Sequence, residues 1–241
     1  ASAVNSLHIA TYNIHKGFSQ FNQRMVLHEL RDRLRTMQPD VVFLQEVQGE
    51  HHLHAERHEN WPDESQYEFL ADSIWHDYAY GKNAVYPEGH HGNALLSRFP
   101  IVRWENVDIS AHRSEQRGLL HSEVQIPGWE HKLHCICVHL GLFARWRRKQ
   151  LIALRDHIQR LVPPHEPLII AGDFNDWRIE ACRFMVRELE LLLDGARQEL
   201  AEFLGANARD VAFVTNATAG VNAVAQSLAL VVVFDALGDA D

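Results

Sequence analysis

Residues 169–177 read IIAGDFNDW, an apolar run that stops at Gly172 and is followed by a carboxylate at Asp173 and an amide at Asn175. The run has the length and bulk of a buried strand, and polar groups at a strand end stand where α/β proteins build their sites. Strand period two puts Asp173 and Asn175 on the same side. Two other stretches share the form: TYNIHKG, with Asn13, and LQEV, with Glu46. If these strands are neighbours, their polar ends converge at one sheet edge. A glutamate with an asparagine amide oxygen is a weak, oxygen-only ligand set, which suits Mg²⁺ because that ion keeps waters and leans on one or two carboxylates plus substrate phosphate.

The surrounding chain alternates strands and helices. SLHIATYNIHKG reads as a strand closed by Gly17, and RMVLHELRDRLRTMQPD as a helix with Val26, Leu30, Leu34 and Met37 on one face, ended by Pro39. DVVFLQEV is a buried strand, followed by a polar, histidine-rich loop over 51–67 and by NAVYPEGHHGNALLSRFPIV, a turn and then a strand. RGLLHSEVQI and HKLHCICVHLGL alternate like paired antiparallel strands around Pro127–Gly128. RWRRKQLIALRDHIQRL places Leu151, Leu154, Ile158 and Leu161 on one helix face before the final IIAGDFNDW strand. Long helices among strands that include hairpins indicate a layered α/β fold with helices outside a sandwich.

Composition narrows the function classes. The 241 residues are 46% hydrophobic and 23% charged, ordinary for a globular protein with a sizeable core. No apolar run reaches the roughly 20 residues a spanning helix needs, so an integral membrane protein is not expected. The start, ASAVNSLHIA, shows no basic segment leading into an apolar one, and Cys135, Cys137 and Cys182 form neither a disulfide framework nor a zinc spacing. A reducing compartment, the cytoplasm, is expected. The net charge of −9 argues against gripping nucleic acid by bulk electrostatics. Residues 181–241 hold four arginines against nine acids, and all 17 histidines lie at or before His165. His51, His52, His54 and His58 read as a solvated loop, since no acid or cysteine completes a metal spacing; His90 and His91 are placed to line a cleft.

TYNIHKG, LQEV, GNALLSRFPI, RGLL, VHLGL followed by Arg147-x-x-Gln150, and AGDFNDW occur in that order over residues 7–180. As an ordered set they resemble the endonuclease/exonuclease/phosphatase family, the DNase I-like fold, and the wording NAVYPEGHHGNALLSRFP resembles a bacterial subgroup of it. The resemblance implies a four-layered α/β sandwich that cleaves phosphodiesters with Mg²⁺ or Mn²⁺. It implies Glu46 as principal metal ligand with Asn13 beside it, and His139 as a phosphate hydrogen-bonder or acid. Asp173 would orient the attacking water, Asn175 would steady phosphoryl oxygens, and Arg117 and Asn93 would contact phosphate or substrate. Such chemistry is in-line displacement, with a metal spreading the developing charge and a carboxylate placing the nucleophile. The substrate would be a nucleic acid or a phospholipid headgroup, and no stable protein partner is expected.

The family pattern fades between 180 and 190, and its late Ser-Asp-His segment has no counterpart here. LLDGARQELAEFLGANARDVAFVTNATAGVNAVAQSLAL resembles instead part of the class V aminotransferases, whose NATAGVN-like turn (Asn216, Ala217, Thr218) meets a cofactor phosphate at a helix N-terminus. With no Lys after Lys149 to form a Schiff base, pyridoxal phosphate binding is not expected. The expectation is therefore a chimera: a phosphodiesterase-type domain over 1–182, truncated at its C-terminal strands, and a foreign segment over 183–241. Loss of the late Asp–His pair would impair turnover, and a non-catalytic domain with weak metal or phosphate binding is the alternative.

Overall fold

A computed structural model describes residues 4, 6–17, 27–51, 65–71, 74–87 and 89–175. It shows two four-stranded sheets face to face. The first contains β1 (Ile9–Asn13), β2 (Val41–His51), β3 (Asp77–Tyr86) and β4 (Gly89–Ser97), in the order β1-β2-β4-β3. The second contains β5 (Ile101–Asp108), β6 (Gly118–Val124), β7 (Leu133–His139) and β8 (Leu168–Asp173), in chain order. Each sheet has one parallel pair at its edge, β1 with β2 and β7 with β8, and two antiparallel pairings beyond it. The sequence shows no repeat, yet the two sheets share this plan.

Helices cover the outer faces. Helix α1 (Leu27–Met37) joins the first parallel pair, and with α2 (Gln66–Ala71) it packs on one sheet through Leu27, Leu30, Leu34 and Leu70. Helix α3 (Ala144–Leu161) joins the second pair and seats Leu151, Leu154 and Ile158 against Leu119, Ile136 and Val138. Between the sheets lie Val41, Phe43, Leu95, Leu120, Cys135 and Cys137. Strand alternation explains the division: on β7 the even positions face α3 and the odd ones face the other sheet. Each fully buried Leu, Val or Ile in these three clusters contributes about 1.5–3 kcal/mol of burial. The four-layered α/β sandwich is as expected.

Three elements escaped the sequence pattern. Residues 83–86 belong to β3 rather than to a turn, so β3 and β4 form a hairpin. Strand β5 and helix α2 were not foreseen at all. Both β3 and β5 carry exposed positions along an edge, among them Tyr78, Val85, Val102 and Trp104, so they lack the apolar runs that mark buried strands. Helix α2 is only six residues long, too short to show a helical period. The cysteines Cys135 and Cys137 are free and buried on one face. No helix among the described residues is long and apolar enough to cross a membrane. The expected C-terminal segment, the missing terminal strands, Cys182 and the side chains of the 51–58 histidines lie outside the described residues.

Candidate active site

Strands β1, β7 and β8 end at Asn13, His139 and Asp173, and β2 carries Glu46 at the same edge. His139 pairs with Asp173 in the β7–β8 ladder, and β1 packs against β8 across the sandwich. Alternation alone would aim Glu46 with Val42 and Leu44 at the helices. Instead the pairing of β2 with β4 slips between Leu44 and Val47, Glu46 takes a left-handed φ of 54°, and Val47 resumes the helix-facing side. This bulge turns the Glu46 carboxylate toward the other sheet.

Asn13 joins the two carboxylates. Its Nδ2 donates to Glu46 Oε1 at 3.3 Å and to Asp173 Oδ2 at 3.1 Å, while its Oδ1 accepts the His15 N–H at 3.1 Å. The amide nitrogen, not the oxygen, therefore faces the acids. His139 Nε2 stands 4.0 Å from Glu46 Oε1 and 3.8 Å from Asp173 Oδ2. His15 Nδ1 stands 4.0 Å from Glu46 Oε2; it was not foreseen, although its place two residues past a strand end was a usable signal.

The IIAGDFNDW strand stops at Asp173. Gly172 has φ 144°, and a Cβ there would meet the Val138 carbonyl oxygen at 1.9 Å, so only glycine allows β8 to lie this close to β7. The Asn175 N–H donates to Asp173 Oδ1 at 2.9 Å, and Asn175 Nδ2 donates to the Leu140 carbonyl at 2.8 Å. Asn175 has φ 48°, so a side-chain-closed turn places it, not continued strand alternation.

Arg117 stands behind His139, its Nη1 3.4 Å from His139 Nδ1. A guanidinium only donates, so Nδ1 accepts and the ring proton sits on Nε2, toward the carboxylates. Burial, with the Arg117 charge next, pushes the His139 pKa down to about 4 against the pull of Asp173 and Glu46. At neutral pH His139 is thus a neutral donor at Nε2. Arg117 Nε lies 3.8 Å from Glu115 Oε1, and Gln150 Nε2 donates to Glu115 Oε2 at 2.9 Å. Gln150 Oε1 accepts the Gly141 N–H at 2.8 Å, and Arg147 Nη1 donates to the carbonyls of Gly141 and Leu142. The Arg147-x-x-Gln150 motif thus clamps the loop leaving His139 and braces Arg117 through Glu115.

A family model for the endonuclease/exonuclease/phosphatase family matches residues 10–230. The chain belongs to that family. It is 53% identical over 176 residues to the Escherichia coli K12 protein named "Uncharacterized protein YbhP", covering 73% of this chain and 69% of that one. Among solved structures, the endonuclease/exonuclease/phosphatase from Beutenbergia cavernae superposes with a TM-score of 0.57 at 24% identity, over 70% of this chain and 47% of that one. This chain therefore spans about half the length of that protein. TDP2 from D. rerio, solved with a single-strand DNA product, superposes with a TM-score of 0.52 at 22% identity, over 73% of this chain and 64% of that one. At these identities the superpositions show the fold. Enzymes of this family are phosphate-ester hydrolases by kind and generally use divalent metals.

Asn13, Glu46, His139, Asp173, Asn175 and Arg117 are all brought to one edge of the sandwich. Asn93 is not on its surface: it is 1% exposed, and Nδ2 donates to the carbonyls of Gly118 and Cys137, which ties the two sheets together. His91 does sit in the field of this edge. Burial, then Lys16, lowers its pKa to about 4, with Glu46 opposing, and its Nδ1 is buried without a hydrogen-bond partner. His90 turns to Tyr80, 3.0 Å from its hydroxyl. Glu115 and Gln150 are the supporting residues whose roles only the fold reveals.

Proposed function

We propose that the chain hydrolyses phosphodiesters at the edge where Asn13, Glu46, His139 and Asp173 meet, with Mg²⁺ or Mn²⁺ held at Glu46. The observation that carries this reading is the Asn13 amide bonded to both carboxylates while His139 Nε2 faces the same two acids. The donor set fits a hard cation: the acids offer only oxygens, and the Glu46 side chain is 23% exposed and so open to solvent. A bound divalent cation supplies neutralisation of phosphoryl charge.

The residues of the chain divide the remaining work. Asp173 is held by Asn175 and Asn13, and it orients the attacking water and accepts its proton. His139, fixed by Arg117, donates Nε2–H to a phosphoryl oxygen as negative charge builds there. Asn13 sets the spacing of Glu46 and Asp173 and so serves the cation indirectly, since its Oδ1 is taken by His15. Asn175 borders the phosphoryl position, and Arg117 adds positive charge behind it. A nucleic acid or a phospholipid headgroup would both supply the required diester.

The test is hydrolysis of bis(p-nitrophenyl) phosphate by the full chain with Mg²⁺ or Mn²⁺. Activity should vanish with EDTA and fall at least about 100-fold in Glu46→Gln and in Asp173→Asn. Activity retained in both variants would refute the assignment. A second reading of the same site is binding with little turnover. Calorimetric Mg²⁺ binding that Glu46→Gln abolishes, without hydrolysis in any assay, would decide for it.

A further inference from the structure

Away from this edge, three buried histidines run in line on the outer face of the second sheet. His121 lies on β6, His134 on β7 and His157 on α3, each at most 4% exposed. His134 precedes His139 by five residues on the same strand, about 16 Å at 3.3 Å per residue, so the group is distinct from the phosphate site. Glu105 on β5 is the register partner of His121 and shares its face.

The hydrogen bonds have one direction. His134 Nε2 bonds the Glu166 carboxylate, which only accepts, so His134 Nδ1 carries the lone pair. His121 Nε2 then donates to that Nδ1 at 2.8 Å, which leaves the lone pair of His121 on its own Nδ1. That atom faces His157 Nε2 at 2.9 Å, and Glu105 Oε1 stands 3.9 Å from the same Nε2. Glu166 thus sets, through the His134 imidazole, which nitrogen His121 presents. This carboxylate–imidazole relay is the arrangement that orients metal-binding histidines.

We propose that Glu105, His121 and His157 form a transition-metal site of the Zn²⁺ type, held in register by His134 and Glu166. Tetrahedral zinc with bonds near 2.0–2.1 Å spaces its ligand atoms about 3.3 Å apart, between the two separations found. The three ligand atoms all lie within 4.8 Å of one another. Glu105, 36% exposed, leaves a path from solvent. Without metal, His157 Nε2–H donates to His121 Nδ1. On metal binding that proton moves to His157 Nδ1, which is buried and has no hydrogen-bond partner, so both facing lone pairs are released and no net proton leaves. Two imidazoles select zinc or cobalt over Mg²⁺, and the bound ion would pin edge strand β5 to helix α3.

The test uses the full chain stripped of metal, in millimolar Mg²⁺ to fill oxygen sites, titrated with Zn²⁺ by calorimetry and with Co²⁺ by visible absorption. One tight equivalent, nitrogen-ligated Co²⁺ bands and a raised Tm are expected. Glu105→Gln and His157→Gln should each weaken binding at least about tenfold. His165→Gln is the control, because His131, His165 and Glu166 make a second, surface cluster. Glu105→Gln alters a half-exposed residue, so it reads the site even where His157→Gln fails to fold. No tight equivalent overturns the proposal, and so does one that survives Glu105→Gln or disappears with His165→Gln.

Discussion

Arg117 Nη1 lies 3.4 Å from His139 Nδ1, and this contact decides which nitrogen of the imidazole faces Glu46 and Asp173. Arg117→Gln removes both the charge and the fixed donor. Phosphodiester hydrolysis should fall by about 10–100-fold, the usual cost of losing an orienting partner. In the metal-free protein the His139 pKa should rise from about 4, because a positive neighbour is gone, yet stay below 6.5, because burial is the larger cause. An imidazole NMR titration checks the second outcome independently of activity.

Gly172 supports the end of β8 through its closeness to the Val138 carbonyl. Gly172→Ala meets that oxygen at 1.9 Å and requires φ 144° of an L-residue. Destabilisation of about 3 kcal/mol or more is expected in urea unfolding, by backbone strain plus the clash. A variant within 1 kcal/mol of the parent, by the same error scale, would mean that β8 does not approach β7 this closely.

Ser65 starts α2 as half of a capping box, with Oγ donating to Glu68 Oε2 at 2.6 Å and its N–H to the same oxygen at 3.3 Å. Ser65→Ala should cost about 1 kcal/mol in urea unfolding. The Ser65 hydroxyl, helped by Tyr78 and opposed by burial, holds the Glu68 carboxyl below its usual 4.5. A lowered folded pKa means that the unfolded chain binds the proton first as pH falls. This contribution is therefore full above about pH 4.5 and is lost below it, and the Ser65→Ala variant should show a smaller loss over that acid window.

Cys135 and Cys137 are buried between the sheets, and burial pushes the Cys137 thiol up to about 12 and that of Cys135 higher still. In a Cys182→Ser background neither should react with Ellman's reagent at neutral pH until the protein unfolds. Rapid labelling of the folded protein would show that the inter-sheet layer opens locally rather than with the whole domain.

The buried parts of the fold were readable because burial writes a pattern. VVFL in β2 and LIIAG in β8 are apolar without interruption, since strands of this kind meet side chains on both faces. Helices α1 and α3 show their leucines at helical spacing because one stripe alone packs on a sheet. Strands β3 and β5 are edge strands half in solvent, where Tyr78, Val85 and Trp104 are exposed, so no single period marks them. Asn93 shows the opposite limit. Its motif suggested a substrate contact, but a polar residue serves equally well as a buried tie between sheets, and sequence does not separate the two.

From its sequence alone this chain declared its family, its layered architecture and the chemical types at the strand ends: Asn13, Glu46, His139, Asp173 and Asn175. Those properties follow from local period and residue identity, which the chain carries with it. The aim of Glu46 came only with the slipped β2–β4 register and its left-handed backbone. The side of Asn13 that meets the acids, the tautomer of His139, and the line from Glu166 through His134 and His121 to His157 came only with the packing of both sheets and α3. Each depends on partners from 13 to 160 positions away along the chain, and hydrogen-bond direction is settled by the partner, not by the residue that bears the group.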